Sequence, residues 1–97
     1  MAAEMILSGD GKLSVEGSIT IHNVVAVVEK GIALFDRDDL VIDLTQVTEV
    51  DSSAVSMLLE WQREACRRNR RICFANTPPN LKGLAQLYGV SELISLT

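Results

Sequence analysis

The strongest structural signal in the sequence is the run Leu40–Leu44, which is apolar at every position except Asp43. An acidic break, Asp36–Asp39, precedes the run. Nearly continuous Val, Ile and Leu residues are typical of a central strand that is covered on both faces. A covered sheet needs helices packed against it, so the run favours a mixed α/β fold.

Length and composition agree with this interpretation. A chain of 97 residues predicts one domain over residues 1–97. Apolar residues make up 47% of the chain and aromatic residues only 4%, so the core must consist mainly of Val, Leu, Ile and Ala. A net charge of −4 disfavours nucleic acid and anionic membrane surfaces as partners. With no basic leader and no apolar window of membrane-spanning length, we expect a cytoplasmic protein without direct membrane insertion.

The first half of the chain predicts a hairpin and a helix. Segments 5–8 and 12–16 flank Gly9-Asp10-Gly11, a turn-forming run. Either Ser18 or Thr20 can cap the helix that follows. The apolar residues expected to face the sheet from this helix are Ile21, Val24, Val25, Val28, Ile32 and Phe35.

The second half predicts a loop over residues 45–50, a helix over 52–69 and a strand over 71–74. The side-chain oxygens of Asp51-Ser52-Ser53 are expected to cap the first amides of this helix. Thr77-Pro78-Pro79 predicts a cap at Thr77, followed by proline in the first turn of a third helix. This helix should pack through Leu81, Leu84, Ala85 and Tyr88 and end at Gly89. Residues 94–96 could add a strand at the edge of the sheet.

The second helix has a wider apolar arc than the roughly 100° stripe that a helix needs to cover a sheet. A helical wheel directs Ala54, Val55, Leu58, Gln62, Ala65 and Cys66 towards the sheet. Met57 and Trp61 fall beyond one margin of that stripe, beside polar residues. Large apolar side chains with a polar rim anchor protein interfaces. We therefore expect a partner-binding face formed by Asp51, Ser52, Ser53, Ser56, Met57, Glu60 and Trp61.

Two alternatives to this interpretation stay open. Met57 and Trp61 could instead fold over the edge of the core. For the partner-binding face itself, we expect Trp61→Ala and Ser52→Asp each to weaken partner binding and to leave the fold intact. Ser52 and Ser53 could act only as helix caps, whereas phosphorylation of Ser53 would add about −1.5 to −2 charge beside Asp51 and block an apolar or acidic partner.

Other sequence features support neither catalysis nor a cofactor. Cys66 and Cys73 lie outside any metal or redox motif, and we expect them to be reduced. His22 is expected at the surface, and no nucleophile, phosphate-loop or calcium-loop pattern is present. Arg67, Arg68, Arg70 and Arg71 are expected to stabilise the carboxyl end of the second helix, or else to meet an acidic patch on a partner. The sequence thus predicts no catalytic residues, no metal site and no cofactor.

The order of elements and the local motifs resemble the STAS domain of anti-sigma-factor antagonists and of transporter-associated modules. The resemblance rests on Val41-Ile42-Asp43-Leu44, on Asp51-Ser52-Ser53-Ala54-Val55 and on Pro78-Pro79-Asn80-Leu81 followed by Leu84. It implies a STAS-like (SpoIIAA-like) α/β fold, a small mixed sheet of about four or five strands with helices packed against it.

Within the family, Leu84-Ala85-Gln86-Leu87-Tyr88 is similar to a segment of the short MlaB-like subunit of the bacterial lipid-asymmetry ABC transporter. The resemblance implies a non-enzymatic adaptor that binds the transporter's ATPase, in complex with the permease, and so lies peripheral to the inner membrane. Ser52 matches the residue at the ATPase contact, and Ser53 matches the serine that is phosphorylated in sigma-factor regulators. The alternative is an anti-sigma-factor antagonist whose partner is an anti-sigma-factor kinase. Ala54 and Val55 depart from the Gly-Leu pair usual in the family, and the added bulk at Ala54 weighs against this switch.

Overall fold

A computed structural model of the chain describes residues 3–7, 12–35, 39–90 and Ile94. The elements in chain order are β1 (Glu4–Leu7), β2 (Lys12–Ile19), α1 (Val24–Ala33), β3 (Asp39–Asp43), β4 (Val47–Val50), α2 (Ser52–Arg67), β5 (Arg71–Ala75) and α3 (Pro79–Leu87).

The strands form a mixed five-stranded sheet in the order β1-β2-β3-β5, with β4 paired to β2. β1 and β2 are antiparallel, whereas β2 pairs in parallel with β3 and β3 pairs in parallel with β5. The first half of β2 pairs with β3, and its second half pairs with β4. The predicted α/β fold with a small mixed sheet is confirmed. The turn of the predicted hairpin lies outside the described residues.

β4 corrects the prediction of a loop over residues 45–50. Val47 is buried and pairs with Gly17, while Thr48 and Glu49 are exposed. A strand of four residues with one buried side chain leaves little periodicity to recognise. Gly17 has φ of 97° where the register of β2 shifts, a conformation that glycine adopts without a steric penalty.

Burial alternates along the central strands. In β3, Leu40 and Ile42 are buried, whereas Val41 and Asp43 are half-buried. This strand is therefore fully covered on one face only, and not on both as predicted. The buried face continues through Leu13, Val15, Ile72 and Phe74 of the neighbouring strands.

α1 begins at Val24, and neither Ser18 nor Thr20 caps it. Its buried residues are Val27 and Gly31, with Phe35 buried just after the helix ends. Ile21 and Val25, which were expected to face the sheet, are exposed. The buried side is rotated because α1 packs against α2 as well as against the sheet.

α3 begins after Pro78, which occupies the N-cap position. Thr77 is buried, and its hydroxyl has no hydrogen-bond partner within the described residues, so the predicted threonine cap is wrong. Leu81 and Ala85 are buried as predicted, but Tyr88 is exposed because it lies past the last helical turn. Gly89, at φ of 70°, ends this segment as predicted. Ile94 is a buried bend, and the rest of the predicted edge strand lies outside the described residues.

Candidate functional site

Asp51 organises the amino-terminal end of α2. Its Oδ1 accepts hydrogen bonds from the Ser53 amide at 2.9 Å and from the Ser53 hydroxyl. A side-chain oxygen at this position satisfies an amide that the helix itself leaves without a partner. The predicted role of this segment as a helix cap is confirmed for Asp51, and the Ser53 hydroxyl is a donor to Asp51.

The same carboxylate joins α2 to the start of α1. Asp51 Oδ2 accepts a hydrogen bond from the Ile21 amide at 3.0 Å. Hydrogen bonds from the Ser53 hydroxyl and from the Ile21 amide lower the pKa of Asp51 below its ordinary value, because they stabilise the ionised form. This corner of the molecule therefore carries a fixed negative charge at neutral pH.

An open cleft of about 460 Å³ lies between α2 and the segment after α3. We call it the α2–α3 cleft. Ser52 and Ser56 are exposed at its edge and Ser53 is half-buried. The residues that line the cleft are Ser52, Ser53, Val55, Ser56, Leu59, Tyr88 and Val90.

The structure adds Tyr88, Leu59 and Val90 to the predicted site. Tyr88 is 54% exposed, and the adjacent Leu87 is 76% exposed. The helical spacing from Leu81 to Tyr88 placed this tyrosine on the packing face, although α3 ends one residue before it. An aromatic residue next to a terminating glycine is the sequence signal that could have found it.

Met57 and Glu60 lie on a different side of α2 from Ser52 and Ser53, and Ser56 lies between the two sides. They border a second depression, of about 260 Å³, which we call the α1–α2 groove. Met57 is 0% exposed and forms the floor, while Glu60 is exposed at the rim. Val24, Val25, Val28, Glu29 and Ser56 complete its lining.

Trp61 is a core residue, which corrects its assignment to the partner-binding face. The side chain is 0% exposed, and its Nε1 donates a hydrogen bond to the Val28 carbonyl at 3.1 Å. Its ring stacks on Phe74 with centroids 6.4 Å apart and meets the edge of Phe35 at 6.2 Å. Burial of Met57 and Trp61 confirms the alternative that they belong to the core. Trp61→Ala would cost about 3–5 kcal/mol of stability, so it cannot leave the fold intact.

Part of the arginine cluster has a structural role different from the expected one. Arg68 and Arg70 donate hydrogen bonds to the Phe35 carbonyl at 3.2 and 2.8 Å. They satisfy a carbonyl that follows α1, whereas Arg67 lies in the last turn of α2 as expected. Arg67 pairs with Glu64 at 2.5 Å, and Arg71 lies 3.9 Å from Asp39 at the surface.

Several sequence predictions concern the remaining polar residues. Cys66 is exposed, Cys73 is half-buried, and both are free thiols. His22 is exposed as predicted. Within the described ranges, no three His, Cys, Asp or Glu side chains gather in a metal-binding arrangement. None of the helices in the described part of the chain has the length and apolar character needed to cross a bilayer.

A family model described as "Mlab, STAS domain" matches residues 3–95. Comparison with curated protein sequences gave no match.

Several solved structures share the fold. The anti-sigma factor antagonist SpoIIAA in its unphosphorylated form superposes with a TM-score of 0.74 at 17% identity, covering 99% of this chain and 88% of that one. Phosphorylated SpoIIAA of Bacillus gives a TM-score of 0.66 at 18% identity, covering 99% and 91%. An anti-sigma factor antagonist from Mycobacterium paratuberculosis gives 0.71 at 18% identity, covering 98% and 83%. At these identities the likeness concerns the fold alone.

Proposed function

Because this chain belongs to the family of Mlab-type STAS domains, we propose that it is an adaptor subunit for the ATPase of a bacterial phospholipid-transport ABC transporter. In this role it supports the assembly and activity of a transporter that maintains the lipid asymmetry of the outer membrane. The protein would act in the cytoplasm, held at the inner membrane by the ATPase and permease. The role requires binding and no catalysis.

The observation that carries the proposal is the open α2–α3 cleft at the start of α2. Tyr88 and the serines Ser52 and Ser56 are exposed around it, and half-buried Leu59 and Val90 supply apolar surface. An exposed aromatic side chain next to apolar surface, with hydroxyls at the rim, has the composition of a protein-binding centre. Asp51 and Ser53 hold the first turn of α2 in place, so this surface is ordered before a partner arrives.

The first experiment is purification of the tagged protein from its native host, followed by identification of the proteins that accompany it. Recovery of an ABC ATPase with its permease would support the adaptor role. Recovery of an anti-sigma factor related to histidine kinases would replace it with the signalling role.

Two variants then test the cleft with the ATPase in hand. Tyr88→Ala should lower the affinity for the ATPase at least about tenfold, since truncating an aromatic anchor typically costs about 2 kcal/mol. Ser52→Asp should act in the same direction, because an added carboxylate must be desolvated at the contact. Titration calorimetry measures both effects. Ile6→Ala on β1 is the control, because Ile6 is also an exposed apolar side chain but lies outside the cleft. Unchanged affinity in both cleft variants would contradict the proposed docking surface.

A second candidate function is an anti-sigma-factor antagonist controlled at Ser53. The fold likeness to SpoIIAA in both its phosphorylated and unphosphorylated forms favours considering it. Here, however, the Ser53 hydroxyl donates to the ionised Asp51. A phosphate at Ser53 would remove this hydrogen bond and place a second anionic group beside Asp51, and the two groups would repel each other. This repulsion opposes the stabilisation that the amino-terminal end of a helix gives to an anion. Mass spectrometry of the protein from its host, searched for phosphate at Ser53, tests this candidate.

A further inference from the structure

The α1–α2 groove is an apolar depression separate from the α2–α3 cleft. Val24, Val25 and Val28 of α1 form one wall, and Met57 of α2 forms the floor. Its volume of about 260 Å³ is below the roughly 300–1,000 Å³ of typical small-molecule sites. A depression of this size suits anchoring side chains better than a complete small ligand.

Two exposed apolar side chains lie at or just before the start of α1, and one of them belongs to the wall of this groove. Val25 is 67% exposed in its wall, and Ile21, one turn earlier in the chain, is 72% exposed. The hydrogen bond from the Ile21 amide to Asp51 fixes this turn beside α2. Exposed apolar side chains beside an apolar groove mark an interaction surface more strongly than a single exposed residue does.

The rim of the groove is acidic. Glu29 and Glu60 are both exposed, and Glu60 has its nearest counter-charge in Arg63 at 2.5 Å. Among the described residues, no ion pair of Glu29 is seen. Lys30 lines a different depression, between α1 and β1, and the arginine cluster lies at the far end of α2. The net charge at the groove is therefore negative, which disfavours anionic lipid headgroups and favours cationic side chains.

We propose that the α1–α2 groove is a docking site for a basic amphipathic helix of a partner protein. The helix places an aliphatic or aromatic side chain against Val24, Val25 and Val28, above the buried Met57, and its Lys or Arg side chains lie beside Glu29 and Glu60. Binding of an amphipathic helix in an apolar groove is a common mode of peptide recognition. The site is independent of the proposed adaptor function, because only Ser56 borders both surfaces.

A synthetic helical peptide of Leu and Lys, with its leucines on one face, is a direct probe. The matched control peptide carries Glu at every Lys position. Titration of methyl-labelled protein, followed by NMR, should shift the methyl signals of Val24, Val25, Val28 and Met57 with the Lys peptide only. Glu29→Lys and Val25→Ser should each weaken binding at least about fivefold. Leu87→Ser, at an exposed apolar position on α3, should leave the affinity unchanged.

Five outcomes would overturn the proposal. Equal binding of the Glu peptide, shifts centred on the α2–α3 cleft, or no shifts with peptide in large excess would exclude a basic-helix site. The same methyl shifts with phosphatidylglycerol vesicles, insensitive to Glu29→Lys, would indicate a lipid site. A protein dimer that Val25→Ser dissociates, detected by sedimentation, would indicate a second copy as the occupant. None of these results bears on whether Tyr88→Ala weakens binding of the ATPase.

Discussion

Gly31 allows α1 to approach α2 closely. A Cβ atom placed at this glycine would lie 2.5 Å from Cε2 and Cζ2 of Trp61, well inside van der Waals contact. The same indole donates to the Val28 carbonyl one turn earlier in α1. The glycine and the tryptophan therefore act as a pair, and the position of each depends on the other.

Gly31→Ala should destabilise the protein by at least about 1–3 kcal/mol, because the added methyl group overpacks a closed core. The free energy of unfolding, from urea titration followed by circular dichroism, measures the loss. Gly83→Ala in α3 is the matched control. No atom lies within 4 Å of the Cβ built at Gly83, and alanine is favoured over glycine in a helix by about 0.5–1 kcal/mol. Equal stability of the two variants would contradict the close contact at Trp61.

Asp51 should make the free energy of unfolding depend on pH in the acidic range. Its pKa is lower in the folded protein than the ordinary 3.8, so its contribution is complete above about pH 4 and is lost as the pH falls through the folded value. Asp51→Asn removes the ionisation. The difference in unfolding free energy between wild type and this variant should therefore shrink from about pH 7 to about pH 2.

Asp43 contributes in the same direction, because hydrogen bonds from the Thr45 hydroxyl and amide lower its pKa as well. Part of the acid dependence should therefore persist in Asp51→Asn. Glu49→Gln, which removes an exposed carboxylate on β4, is the control and should keep the wild-type profile. If the difference in unfolding free energy between wild type and Asp51→Asn is constant with pH, the ionised carboxylate does not stabilise the contact between Asp51 and Ile21.

At the level of elements, the helices were predicted well and their orientations less well. The periodicity of α2 and the capping sequence at Asp51 predicted its start correctly, and its end differs by two residues from the predicted Asn69. The wheel assumed that α2 contacts only the sheet. Packing against α1 turns the buried arc towards Met57 and Trp61 and leaves Cys66 exposed. A helix with two neighbours has a wide apolar arc for structural reasons, which sequence alone could not separate from an interface.

The contact between the start of β5 and the end of α1 should depend on Arg70. Arg70→Met removes the 2.8 Å hydrogen bond to the Phe35 carbonyl and should cost about 1–2 kcal/mol, while Arg68 still donates to the same oxygen. Arg63→Met is the control, since it removes only a surface pair with Glu60, worth about 0–1 kcal/mol. Thermal unfolding of the two variants compares these effects. Equal melting temperatures would mean that the arginine does not stabilise the end of α1.

At the scale of the whole molecule, the class of fold followed from the Leu40–Leu44 run and the helical periodicities. The pairing of β2 with two successive strands did not. It depends on the short β4 and on the positive φ of Gly17, neither of which has a strong signal in the sequence. The candidate site was predicted as one face because the serines, Met57 and Trp61 share a helix. In the structure, the serines border the α2–α3 cleft, Met57 and Glu60 border the α1–α2 groove, and Trp61 is buried in the core. The positions of α1 and α3 cause this division.

The described residues share a core to which α1, α2, α3 and the sheet all contribute. Residues 1–97 should therefore unfold in one cooperative transition. Coincident urea midpoints from circular dichroism and from NMR signals of the sheet and of α3 would show this. An early loss of α3 would indicate that the segment carrying Tyr88 is a separate unit of lower stability.

Because Trp61 is buried, it can also serve as an intrinsic fluorescent probe. The chain contains one tryptophan, so fluorescence excited at wavelengths that tyrosine does not absorb arises from a single indole of α2 that contacts α1 and β5. A ligand that separates the two helices will hydrate this ring and shift its emission to longer wavelength. One that binds without disturbing them will leave the spectrum unchanged, so binding and helix movement can be told apart without attaching a dye.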